Sequence, residues 1–301
     1  MYLAHLKWFE HAESVVPLTI TGAQWLVPLV IVLGGAAFFV LFDKRAKGLN
    51  LAIAKRLAAK RPFVPSVVGA TIGLSLVIFS LQGQLFAPNL PVDNTGLLAA
   101  EFILGVLLTL GLATRYSAVG LLLLYAASGL YGPPLGLFEH LEYAGAAIFL
   151  IIVGSGAWSL DALLRSAQAP LKKYQSYALP AWCFLTGLSL AVLAFTEKLF
   201  NLALAEKFLQ THHWNLLAVF GVSDLWFVIF AGSMELLFGV LLALRIGTRL
   251  VAAMLAGLMG LTALILGPTE VAGHLFIIGL GVAIWVGDEK LGASSRASLS
   301  S

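Results

Sequence analysis

Glu235-Leu-Leu-Phe-Gly239-Val-Leu-Leu-Ala-Leu-Arg-Ile-Gly-Thr248-Arg249 repeats a spacing that the chain uses 134 residues earlier, at Glu101, Gly105, Thr114 and Arg115. Working outward, Gly73-Leu-Ser-Leu76 and Leu85-Phe86 recur as Gly187-Leu-Ser-Leu190 and Leu199-Phe200, 114 residues on. Downstream, at the larger offset again, Pro134 falls on Pro268 and His140 on His274. Five anchors in one order indicate an internal repeat, which governs any more local reading. The two offsets differ by 20, so the second copy carries about that many extra residues, within 201–223.

The 301 residues are 60% hydrophobic and only 11% charged, where a soluble domain carries about 25% charged residues. That balance indicates a polytopic membrane protein. The single cysteine, Cys183, excludes an internal disulfide, a CxxC pair or an iron–sulfur site built by this chain alone. A formal net charge of +3 is not a nucleic-acid signal, because the basic residues sit in short loops between apolar runs.

Residues 1–20 mix polar and apolar side chains and lack the basic start and cleavage site of a signal peptide; they predict a short helix on the membrane surface. Apolar runs follow at about 25–42, 63–86, 97–112, 116–131, 139–158, 179–200, 224–244, 250–266 and 271–287. Residues 43–61 hold seven basic side chains, which places this loop in the cytoplasm and the N-terminus outside. Leu49, Ile53 and Leu57 repeat every four residues there and predict an amphipathic helix on the inner leaflet. Alternating the nine spans then puts 15 of the 18 Lys and Arg on the cytoplasmic side, leaving only Lys7, Lys198 and Lys207 outside. Each copy contains four spans, so both enter the membrane in the same direction, related by a pseudo-twofold axis along the membrane normal.

A first helix ending in Glu197-Lys198-Leu-Phe200, a second carrying Glu-x3-Gly and then Thr-Arg, and a fourth ending in Gly154-Ser-Gly156-Ala-Trp-Ser-Leu-Asp161 resemble the DoxX/DoxD family of four-helix membrane proteins. The resemblance covers both copies, 63–161 and 179–290. It implies a four-helix fold for each and a membrane subunit associated with a quinone-linked oxidoreductase.

The ionisable residues inside or beside the spans are the candidates for chemistry, since a carboxylate in hydrocarbon is costly and normally faces the bundle interior with a partner. Glu101 and Glu235 sit a turn or so inside their spans; each is either a pocket acid or a packing residue, with Gly105 and Gly239 on the same face allowing close helix approach. Lys198 is the basic residue nearest that level, and Glu197 adjoins it. All six His fall on the outer side. His140 and His274 occupy equivalent positions, and Glu270 lies one turn before His274. These two His are metal ligands, donor and acceptor for a quinol headgroup, or simply solvated. No span carries a second His at haem spacing and there is no CxxCH, which argues against haem. Thr114-Arg115 and Thr248-Arg249 fall at tight cytoplasmic turns, where Thr caps a helix and Arg anchors to headgroups.

The expectation is an all-α integral membrane protein with nine transmembrane helices, two parallel four-helix-bundle repeats plus one N-terminal helix. Residues 1–62 form the leading segment, 162–178 a cytoplasmic linker and 291–301 a cytoplasmic tail. The location expected is the cell (inner) membrane, N-terminus outside and C-terminus inside. An outward-facing pocket in the second repeat, holding Glu235, His274, Lys198, Glu197 and Glu270, would bind a quinone or small polar substrate, with Glu101 and His140 as first-copy counterparts. No covalent cofactor, no metal and no nucleic acid are expected. The partners are the bilayer and either a redox protein on the outer side or a second copy. A transporter with a path between the bundles, or a structural assembly factor, are the alternatives.

Overall fold

A computed structural model describes residues 19–88, 90–131, 134–266 and 269–287; the expected surface helix at 1–20 and the cytoplasmic tail fall almost wholly outside them. Among the described residues the regular structure is helical, apart from one bridge between Gln84 and Pro91. The helices are α1 (Leu26–Leu57), α2 (Val64–Leu81), α3 (Thr95–Leu110), α4 (Thr114–Ser128), α5 (Pro134–Glu139) and α6 (Leu141–Val153). They continue as α7 (Leu160–Leu163), α8 (Gln175–Leu193), α9 (Leu202–His212), α10 (Asp224–Leu244), α11 (Thr248–Leu266) and α12 (Thr269–Gly287).

Three helical stretches are long and apolar enough to cross a membrane: Gly22–Leu81, Gln175–Leu199 and Asp224–Leu244. Shorter apolar helices occupy Thr95–Leu110, Leu141–Val153, Thr248–Thr262 and Val271–Gly287. The chain is a helical membrane protein. Large apolar side chains of α1, including Leu29, Val30, Leu33 and Leu41, are exposed, as a surface facing acyl chains requires.

α1 departs from the expected division at Phe42. It runs on as one helix through the basic segment to Leu57, because Ala, Lys, Leu and Arg outnumber the weaker helix formers Asp43, Gly48 and Asn50 there. At 1.5 Å per residue it is roughly 48 Å long, against a hydrocarbon core of about 30 Å. The basic end is also not a free surface helix. The Asn50 carbonyl accepts from Arg249, and Arg61 Nε donates to the Val286 carbonyl at 3.3 Å.

Glycines decide how the remaining helices pack. A Cβ on Gly105 of α3 would lie 2.8 Å from the Gly73 carbonyl of α2, and one on Gly239 of α10 would lie 2.6 Å from the Gly187 carbonyl of α8. α2, α3, α4 and α6 form one ring of contacts, and α8, α10, α11 and α12 a second. Between the rings, α6 packs on α8 and α12 on α2, which merges both into one apolar core running from Ile72 and Leu76 through Tyr143 and Trp182 to Leu241 and Ile284.

The two Thr-Arg turns correct the expectation of headgroup anchors. Arg115 Nε donates to the Ile151 carbonyl at 2.8 Å and Nη2 to the Ala169 carbonyl at 2.7 Å, while Arg249 Nη2 donates to the Trp285 carbonyl at 3.3 Å. Each Arg thus binds main-chain acceptors at the end of its neighbouring helix. The cap on α4 comes from 47 residues away: Asp161 accepts from Ala113 N at 2.7 Å, from Thr114 N at 2.9 Å and from the Thr114 hydroxyl at 2.9 Å. Gly154, with φ 80°, and Gly156, pressed on Ser66, steer the chain so that Asp161 arrives there.

Candidate functional site

α8 does not end as a regular helix. Residues Ala194–Leu199 form a π turn, with Phe200 N donating to the Phe195 carbonyl five residues back at 2.9 Å. Such widened turns mark places where an extra residue has been fitted into a helix, often at functional sites. Here the turn carries Glu197 and Lys198. Both are buried, and Lys198 Nζ donates to Glu235 Oε2 of α10 at 2.7 Å, with Glu197 Oε2 at 3.8 Å.

One ammonium between two carboxylates leaves a net negative cluster. Its geometry is that of a partly desolvated ion pair, in which each charge lowers the cost of holding the other inside the membrane. Glu235 lies deeper than a turn inside its span: it is the twelfth residue of α10, roughly 16 Å from the start of that helix, which begins at Asp224 as the apolar run does.

Glu197, Lys198, Glu235 and His274 line a single cavity of about 80 Å³, closed otherwise by apolar side chains that include Leu193, Leu258, Phe276 and Ile277, with Thr262 at one wall. Trp214 also lines it. That side chain belongs to the segment holding the extra residues of the second half. There α9 packs Leu202, Ala205, Phe208 and Leu209 into a small satellite core with Leu199, Trp214, Val228 and Ile229. Glu270 begins α12, but its side chain lies outside the described residues. Trp214 and Thr262 are cavity residues that no charge pattern in the sequence singles out.

Glu101 and His140 are placed differently. Glu101 is fully buried, and its Oε1 accepts from Phe86 N at 2.7 Å. Phe86 has φ 66°, a conformation that an aromatic residue adopts only under constraint, and the carboxylate is the partner that holds its amide. The Tyr143 hydroxyl donates to the Phe86 carbonyl at 2.8 Å and lies 2.9 Å from the Ser75 hydroxyl. His140 Nδ1 lies 3.3 Å from Glu142 Oε1, and the Ser189 hydroxyl of α8 lies 2.7 Å from Glu142 Oε2 and 2.6 Å from the Glu139 carbonyl. Glu139, His140 and Glu142 are all buried, not turn residues at the interface. Pro134–Glu139 forms its own short helix, which tucks the following residues under α8.

Among the described residues no three His, Cys, Asp or Glu side chains converge as a metal site. The fold and cavity define a class: a helical membrane protein with a mostly apolar cavity lined by one lysine, two glutamates and a histidine. No protein-family model, no curated protein and no solved structure matches the chain.

Proposed function

We propose that the chain is a non-autonomous membrane subunit of a quinone-linked redox system, and that the cavity of its second half receives a quinone-type ring. The observation that carries this reading is that the Lys198–Glu235 ion pair, Glu197 and His274 line one cavity whose other walls are mostly apolar. A small-ligand site has that composition: apolar walls with a few converging polar groups. A quinone carbonyl oxygen accepts a hydrogen bond from an ammonium or an imidazole N–H, and a carboxylate accepts the proton that a quinol releases. The redox assignment itself rests on the DoxX/DoxD resemblance.

The nine-span topology, the inner-membrane location and the duplication belong to the same proposal. Three pairs of contacts at the repeat offsets support the duplication: Gly73 on Gly105 with Gly187 on Gly239, Arg115 on Ile151 with Arg249 on Trp285, and α2 on α12 with α8 on α6. A cavity of about 80 Å³ is smaller than the ~150 Å³ apolar cavity that takes up benzene, so a ring enters only as Trp214 or α11 shifts.

The test is purification in mild detergent with the lipid extract and absorption spectrum examined. A quinone retained by the native protein and lost in Glu235→Gln at unchanged folding is the expected result. Native protein that neither retains quinone nor binds added decylubiquinone would overturn the reading. A transport route between the halves is the second reading, favoured by the buried Glu142, His140 and Ser189 at the α6–α8 boundary; solute flux in liposomes distinguishes it.

A further inference from the structure

We propose that the cavity opens sideways into the bilayer between α10 and α11, and that its ligand is a membrane-dissolved amphiphile whose alkyl or isoprenoid tail lies in that seam. The proposal rests on the quinone-type reading of the cavity and adds the route and the tail.

The two rings of helices differ at one joint. In the first, α4 lies close against α3, and a Cβ on Gly120 would stand 2.8 Å from Leu104. In the second, the position 134 residues on is Met254, a long side chain that is 39% exposed. Gly257 and Gly260 of α11 have open space where a Cβ would go. α11 is held mainly by α12, with Val251, Ala252 and Leu255 buried, and touches α10 far more sparsely than α4 touches α3. Among the described residues the second ring is open between α10 and α11.

The cavity lies behind that joint. Leu258 lines it and is 45% exposed, so at this place the wall is a single side chain thick. Met254, Leu258 and Leu261 recur at the spacing of one helix face, and α11 carries no charged residue from Leu250 to Leu266; the seam is apolar. Glu235 has a side chain 21% exposed, whereas Glu101 is fully buried. A carboxylate three turns into a span and incompletely buried is costly in contact with acyl chains. A polar ring seated on the Lys198–Glu235 pair, with its tail passing out beside Leu258, covers the carboxylate and gives the open seam an occupant. A solute arriving from water has no use for the seam.

The test uses native and variant protein in nanodiscs, titrated with decylubiquinone and with tailless ubiquinone-0. Met254→Trp and Leu261→Trp fill the seam without altering a residue that lines the cavity. Each is expected to weaken decylubiquinone at least tenfold relative to the native protein while ubiquinone-0 stays within twofold. Equal response of both probes, or no response of either, overturns the lateral route and leaves the quinone reading standing. Failure of the native protein to bind either probe overturns that reading and the route with it. Efficient disulfide formation between two chains at Met254→Cys, in a Cys183→Ala background, would assign the seam to a second copy and overturn the route as well.

Discussion

Gly105 and Gly73 meet with no side chain between their backbones, and a Cβ on Gly105 would also stand 3.0 Å from the Val77 amide nitrogen. Without a hydrophobic driving force between helices in lipid, this closeness is what supplies attraction, through dispersion and weak Cα–H···O contacts. Gly105→Leu and Gly239→Leu should each cost at least about 1–3 kcal/mol as overpacked positions and lower the yield of monodisperse protein. Gly257→Leu, with open space around it, is the control and should be silent. Silence at all three would show that these crossings carry no packing energy.

Lys198 and Glu235 should behave as one unit. Removing either leaves an opposite charge partly buried, so Lys198→Met and Glu235→Leu each destabilise, while the double variant recovers part of the loss. A double-mutant cycle in a denaturant titration is expected to give a coupling of about 0.5–3 kcal/mol. Strict additivity would mean that the 2.7 Å contact contributes nothing.

Glu101 and Glu235 should separate by phenotype. Glu101→Ala leaves the Phe86 amide buried without its acceptor, a cost of about 1–3 kcal/mol, read as a lower melting temperature with decylubiquinone affinity within twofold of native. Glu101→Gln, which keeps an acceptor oxygen, should lose less. Glu235→Gln should do the reverse: ligand affinity falls at least tenfold while stability falls less than in Lys198→Met. Equal loss of affinity from Glu101→Gln and Glu235→Gln, at unchanged folding, would establish two working sites.

Asp161→Ala removes three bonds from the start of α4. A lost cap costs about 0.5–2 kcal/mol, and thermal unfolding in detergent should show it. Asp161→Asn, with one oxygen remaining, should fall between.

Sidedness is checked by impermeant thiol labelling of single cysteines in a Cys183→Ala background. Asn94→Cys and Thr211→Cys should react from outside, and Lys47→Cys and Lys173→Cys only after the membrane is opened. The opposite pattern places the cavity on the cytoplasmic side.

The positions of the longer apolar helices were legible from apolar runs alone, because in lipid every backbone amide must bond within its own segment. The crossing points were legible too, since Gly105 and Gly239 stand one turn after an acid at matching spacing. What packs on what across the halves was not: nothing in the local pattern of α6 or α12 says which helix each will meet. The Thr-Arg turns misled for a related reason. An Arg beside a span reads as a headgroup ligand, yet Ile151 and Trp285 carbonyls are available to it only once the fourth helix of each half has folded back.

At the site, the charged residues were visible in the sequence, and counting from Asp224, where both the apolar run and α10 begin, already sets Glu235 about three turns in; α9, by contrast, shows itself only as a mixed polar segment. The burial of Glu142 and His140 was likewise hidden, since a Pro-Pro-Leu-Gly stretch announces a turn and not the short helix that tucks them under α8.

The π turn at Ala194–Leu199 makes the cavity a matter of chain length as well as of chemistry. Deleting Thr196 would let this stretch relax to an ordinary α-helix and shift Lys198 from its present place opposite Glu235 with no charge removed. The geometry of the ion pair therefore depends on a residue count, and an insertion or deletion that every charged side chain survives is enough to disturb it.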